Sequence, residues 1–276
     1  MSKINFGKIK VNNSKYSLAF KIGVVISVVL VVTAIVGCFW TPYSQTDIDA
    51  SLKNQAPGFA HIFGTDNYGR DIFSRVMGGM GTTLFIAVAT VVIGGAIGTV
   101  IGLYSGYHGG LFDEIVMRIG DMILSFPSIL LALLFVSIMG ASKYNIIFAL
   151  GILFIPSFAR IVRGETVKIK NLDYIKCAIT MGAGTGRIVF CHILPNAWNS
   201  LLSALIVGIN NAILAEAGMS YLGLGVQPPE ASLGRMMSEA QSYLFTAPWY
   251  ALFPGAVIIL LVLAFSLVGE GLQPKK

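Results

Sequence analysis

Six long uncharged stretches divide this chain. Lys21 and Asp47 are separated by 25 uncharged residues, Arg75 and Asp113 by 37, Asp121 and Lys143 by 21, Lys143 and Arg160 by 16, Arg187 and Glu216 by 28, and Glu239 and Glu270 by 30. About 20 apolar residues cross a bilayer as a helix. Five stretches are long enough, and the 37-residue one holds a helix plus its flanking loops. The 16-residue stretch is extended by Arg160, whose aliphatic stem lets its charge snorkel to the interface. The pattern predicts spans over roughly 20–41, 82–106, 118–140, 144–164, 197–222 and 248–270. The apolar runs are continuous rather than alternating, which selects helices over a barrel. The expected fold class is an all-α integral membrane protein with six transmembrane helices. A tail over 1–19 precedes the first span, a segment over 42–81 follows it, five helices fill 82–271, and a short tail covers 272–276.

Composition agrees with this division. The chain is 55% hydrophobic and 12% charged, with a mean hydropathy of +0.77, where soluble domains carry about 25% charged residues. Six spans put both termini on one side, and the positive-inside rule chooses which. With the termini inside, the inner face carries Lys3, Lys8, Lys10, Lys15, Lys21, Arg118, Arg160, Arg163, Lys168, Lys170, Lys176, Arg187, Lys275 and Lys276. The outer face keeps Lys53, Arg70, Arg75, Lys143 and Arg235. The formal charge of +6 is therefore a topology signal, its partner is the lipid bilayer, and no nucleic-acid partner is expected. The long basic leader and near-full-length apolar run read as an uncleaved anchor rather than a secretory signal. Cys38, Cys177 and Cys191 form no disulfide framework on this topology.

Local patterns add detail. After Gly69, the residues Ile72, Phe73, Val76, Met77 and Met80 recur at helical spacing among the polar Arg70, Asp71, Ser74 and Arg75. This predicts an amphipathic helix lying at the membrane surface, or a platform for an outside partner. Gly94, Gly98, Gly102 and Gly106 share one face of the second span and predict close packing against another helix backbone, in this chain or a second one. Pro127 and Pro156 predict kinks, either tolerated or lining a pathway. Asp121 is expected to pair with Arg118 on one helix face. Glu216, with Asn210 and Asn211 nearby, belongs to a packed polar network or to a pathway. Glu270 lies at the end of the last span.

Several chemistries are missing from the sequence. It holds no G-x-x-x-x-G-K-[ST] phosphate cradle, no H-E-x-x-H, no cysteine–histidine cluster and no G-x-S-x-G elbow. His61, His108 and His192 fall in three different extramembrane segments. No catalytic residue, cofactor or metal site is expected, and the energy for transport would come from a partner. A stand-alone channel or secondary carrier is the alternative of a different class.

The polar passage between the fourth and fifth spans, over about 165–196, is the remaining feature. "DYIKCAITMG" reads as a short helix with Tyr174, Cys177, Ala178 and Met181 on one face, and Gly182 suits its end. "GTGRIVFCHILP" reads as a second short helix with Thr185 as N-cap and Pro195 as its boundary. The passage resembles the cytoplasmic coupling loop of ABC importer permeases. The matching positions are Lys176, Cys177, Ala178, Gly182 and Pro195, with lysine standing where the family pattern has an acidic residue. "FGTDNYGRDIFSRV", "FARIVRGE", "ILAEAGMSYLGLGVQPP" and "APWYALFPG" follow in the order seen in the C-type permeases of dipeptide, oligopeptide and nickel importers. The resemblance implies a type I importer permease fold in a bacterial inner membrane with both termini cytoplasmic. It also implies a second homologous permease subunit forming a heterodimer, two ATPase subunits and an extracytoplasmic substrate-binding protein. The implied cargo is a di- or oligopeptide, with nickel or a metal–chelator complex as the alternative. The resemblance assigns ATPase contact to Ala178, Gly182, Ala183, Gly184, Thr185 and Gly186, with Arg187, His192 and Pro195 in support.

Overall fold

The computed structural model describes residues 18–272, which form helices α1 to α10 and no sheet. The four lysines before residue 18, the two at the C-terminus and most of both tails lie outside the described residues. Among the described residues, five helices are long and apolar enough to cross a membrane: α1 (Leu18–Phe39), α2 (Ile72–His108), α5 (Lys143–Lys170), the continuous run Thr185–Tyr221, and α10 (Trp249–Leu272). The bent pair α3 (Gly110–Leu124) and α4 (Ser128–Met139) makes a sixth, broken crossing.

Small residues decide which faces meet. The buried residues of α1 are Gly23, Ser27, Ala34 and Gly37. This stripe lies on α10 at one end and on the start of α2 at the other. A Cβ at Gly23 would sit 2.6 Å from Leu267, and one at Gly37 would sit 2.6 Å from the Met77 backbone. Gly271 touches Phe20, so α1 and α10 run antiparallel. The helix contacts expected of Gly94, Gly98, Gly102 and Gly106 are made inside this chain, with α5. Their added Cβ atoms would strike Gly151, Phe154, Ile155, Ala159, Val162, Arg163 and Thr166. In lipid such close packing supplies the attraction that burial supplies in water.

Three expectations are corrected here. The helix over 72–80 does not lie on a membrane surface. It forms the first turns of α2, which at 37 residues is about 55 Å long and outreaches a hydrocarbon core of about 30 Å. Ile72, Val76, Met77 and Met80 are buried, and so are Arg70, Asp71, Ser74 and Arg75. The third span is not one kinked helix. At Pro127, which has no N–H to continue the ladder, α3 and α4 diverge by 86°. Arg118 does not pair with Asp121. Arg118 bonds Glu114 one turn back, at 2.6 Å, and Asp121 takes Arg160 of α5.

The molecule thus has two ends. The cap end gathers the segment 40–71, the start of α2 and the segment 222–248 with α9 (Leu233–Ala240). The knob end gathers the start of α1, the end of α10, and α6 (Asp173–Thr180) with the one-turn helix α7 (Thr185–Arg187). The last span begins as a π-turn over Ile188–Ile193 and continues as α8 (Leu194–Tyr221).

Candidate functional site

Three constructions stand out, one at each end and one between. At the knob end, α5 stops at Lys170 and the chain turns through Asn171 and Leu172 into α6. Ile175 is the only buried residue of α6, and it belongs to the same core as Ile188, Val189 and Ile193. The face holding Tyr174, Cys177 and Met181 points outward, so the anchor is Ile175 rather than that face. Gly182 ends the helix. With φ +83 it allows its own N–H to reach Ile179 O (2.9 Å) and the Ala183 N–H to reach Ala178 O (3.0 Å). This paired closure places glycine where a side chain would be strained. Lys176 is tied to Asp173 at 3.0 Å.

The second half of the knob differs from expectation at two points. Thr185 is the first helical residue and Gly184 the N-cap, with no side-chain cap bond. Pro195 marks no boundary, because one helical run passes through it to Tyr221. Proline has no N–H to donate and its ring crowds the preceding turn. The widened turn before it, with Leu194 N bonding Val189 O five residues back, accommodates it inside the helix. Asn196 stitches the two halves by donating to Tyr174 Oη (3.2 Å) and His192 O (2.6 Å). Gly182, Gly184 and Gly186 have no atom within 4 Å of an added Cβ. Met181 is 89% exposed, and Phe190 and Ile179 are also open. The result is a glycine-lined protrusion with large apolar tips.

Between the ends lies an open groove of about 620 Å³ walled by α4, α5 and α8 and closed at one corner by Leu124 of α3. Phe158 of α5 and Gly208 of α8 meet at its base, 2.8 Å from a Cβ at Gly208. Ser128, Ser157, Ser200, Ser203 and Asn211 supply its polar lining, and no charged side chain lines it. Of the residues singled out for a pathway, Pro127 sets the bend beside Ser128 without lining the groove. Asn210 and Glu216 do not line it either. Asn210 turns into packing with its Oδ1 unpartnered, and Glu216 is fully buried on a face of α8 away from the groove. One Glu216 oxygen accepts from Ser220 Oγ at 2.6 Å. Asn211, next to Asn210, is the groove residue.

At the cap end is an ion-pair knot that sequence reasoning missed. Asp66, fully buried, accepts from Arg70 Nε (2.7 Å) and Arg75 Nη1 (2.6 Å). Glu239 of α9 accepts from Arg70 (3.1 Å), Arg75 (3.0 Å), Arg235 (3.2 Å) and Tyr250 Oη (2.7 Å). Asp71 caps α2 through Ser74 N and holds His61 Nδ1 at 2.9 Å. The knot fastens the first loop and α9 to the starts of α2 and α10. Burial opposes ionisation of Glu239, but Arg75, Tyr250 and Arg70 outweigh it and hold the carboxyl below the usual glutamate range. A depressed carboxyl contributes stability that is complete above its unfolded value and is lost as pH falls through the folded one. In detergent, melting temperature should therefore hold at neutral pH and fall on acidification below about 4.5. Glu239→Gln should start lower, by about 3 kcal/mol, and lack that part of the acid decline. An unchanged acid profile in the variant would remove Glu239 from the account.

Comparisons with known proteins follow the same outline. Residues 98–276 match the family described as binding-protein-dependent transport system inner membrane component. The chain is 43% identical to the glutathione transport system permease protein GsiD of Pectobacterium atrosepticum, over 85% of this chain and 80% of that protein. It is 38% identical to the dipeptide transport system permease protein DppC of Alkalihalophilus pseudofirmus, over 91% of this chain and 83% of that one. A chain of the inward-facing MetNI methionine ABC transporter superposes with a TM-score of 0.60 at 20% identity, covering 71% of this chain and 93% of that one. That likeness is one of fold.

Proposed function

The chain belongs to the binding-protein-dependent transport system inner membrane components, and from that premise we propose that it is one permease half of an ATP-driven importer of di- or oligopeptides. It is a multi-pass transport subunit, and ATP hydrolysis falls to separate subunits. Relatives named for glutathione and dipeptide transport favour peptide cargo over nickel. The observation that carries the reading is the knob. A stretch rooted by Ile175, Ile188 and Ile193 leaves Met181, Phe190 and three open glycines uncovered by any of the described residues. Two ATPase subunits gripping such knobs on two homologous permeases can move α5 and α8, because the knob joins the ends of both. Ala178, Ala183, Thr185, Arg187 and His192 lie along the same surface or its root.

Orientation follows from charge. Among the described residues, Lys21, Arg118, Arg160, Arg163, Lys168, Lys170, Lys176 and Arg187 sit toward the knob end. At the cap end, Arg70, Arg75, Lys143 and Arg235 are tied to carboxylates, and Lys53 is exposed. The positive-inside rule makes the knob end cytoplasmic and the cap end the face met by a substrate-binding protein. Reconstitution tests the assignment. Liposomes holding the chain with a partner permease, ATPases and binding protein should take up labelled dipeptide only with ATP. Full uptake by this chain alone would favour a channel or secondary carrier instead.

A further inference from the structure

The groove walled by α4, α5 and α8 has an unusual chemistry for a surface halfway along membrane-crossing helices. Asn211 is exposed on α8, and Ser157 is exposed opposite it on α5. Neither side chain makes a hydrogen bond among the described residues. An amide facing hydrocarbon with no partner is costly, so this face meets water, cargo or another protein. The lining offers the hydroxyls of Ser128, Ser157, Ser200 and Ser203 and the carboxamide of Asn211, with no ionised group among them. The nearby Glu216 turns its carboxyl away, into the bond with Ser220. Arg160, one turn from Ser157, is committed to Asp121.

Neutral groups that both donate and accept suit one feature shared by all peptides, the main-chain amide with its N–H and C=O. They make no ion pair with an acidic or basic side chain and repel neither. Building on the peptide-import reading, we infer that this groove is a main-chain-reading subsite for translocating peptide, with Asn211 and Ser157 as the pair that meets the peptide amides. Charge neutrality here is what lets one pathway carry acidic, basic and neutral peptides alike. A single charge placed in the lining converts it into a filter.

The test uses the complete importer in proteoliposomes and three labelled tripeptides, centred on alanine, glutamate or lysine. The same binding protein serves every arm, so its own preference cancels in the ratio of variant to wild type. Asn211→Asp should lower uptake of the glutamate-centred peptide about tenfold relative to the lysine-centred one, and Asn211→Lys should reverse that order. A tenfold ratio is what repulsion of the like charge and attraction of the opposite one, each at about 6 Å, give together in a water-filled groove. Ser157→Asp and Ser157→Lys ask the same question from the facing helix, should a variant at 211 fail to assemble. Charge-sign preferences that invert between Asp and Lys support the subsite. Equal loss for all three peptides marks a packing contact with the second permease and overturns it, as does unaltered uptake ratio in every variant. Wild-type liposomes that import no peptide at all sink the peptide reading itself, which separates the two failures.

Discussion

Gly102→Val should abolish recovery of folded protein from the membrane. An added Cβ at this position would lie 2.5 Å from Ala159 O, 2.9 Å from Val162 Cβ and 3.0 Å from Arg163 N. Two of the three atoms are backbone and cannot rotate aside. The obstruction repeats at Gly98, 2.8 Å from Ile155 O, and at Gly106, 2.9 Å from Arg163 O. Pushing α2 and α5 apart at one point therefore separates them over several turns. Overpacking usually costs about 1–3 kcal/mol; here the obstruction is rigid and branched, and the loss should exceed about 4 kcal/mol. Gly164 is the internal control. It lies on the same helix α5 with nothing within 4 Å of an added Cβ, so Gly164→Ala should be neutral or stabilise by up to about 1 kcal/mol through helix propensity. The measurement is monodisperse yield and melting temperature in detergent. A well-folded Gly102→Val protein would mean that α2 and α5 are not packed as described.

Arg75→Met should cost nearly as much, by a different route. Arg75 is 1% exposed and its Nη1 serves Asp66, Glu239 and Tyr250 together. Methionine fills similar space and removes the charge, leaving Asp66 buried with Arg70 as its remaining cation and Glu239 with fewer donors. Removing one partner of a buried ionic group costs about 3–5 kcal/mol. Lysine keeps the charge but not the planar guanidinium that sets Nη1 against all three acceptors, so Arg75→Lys should recover part of the stability. Adding Glu239→Gln to Arg75→Met should cost less than the two single losses combined, because the carboxylate is already short of a donor. Additive losses would show that the two residues do not share a network.

The contrast between these two sites explains what the sequence could reveal. Gly94 to Gly106 repeat every fourth residue, so a helix face is visible without knowing its partner. Gly182 was legible for the same local reason: a glycine closing a short amphipathic segment. The knot was not legible, because Arg75 meets Glu239 and Tyr250 across 164 and 175 positions of chain. Its only sequence trace is the density of Asp66, Arg70, Asp71 and Arg75, which reads equally well as a solvated face. That ambiguity also produced the surface-helix expectation over 72–80, since apolar residues at helical spacing do not say whether the polar side is covered. Pro127 announced a disturbance but not its size, because an 86° break needs α5 to receive both arms. Asn211 and Glu216 were noticed together; only the helix rotation decides that the amide faces the groove and the carboxylate does not.

The central claim is that the α6 turn carries a partner's movement into α5 and α8. Its most direct test is the number of ATP molecules hydrolysed per dipeptide imported by the complete importer carrying Gly182→Val. Valine at φ +83 should cost the turn more than about 1–2 kcal/mol and displace Ala183 and Thr185 from the proposed docking surface, with no clash against the described residues. The account predicts continued membrane insertion and continued hydrolysis, with at least tenfold more ATP consumed per peptide. An unchanged ratio, with normal uptake, would contradict it.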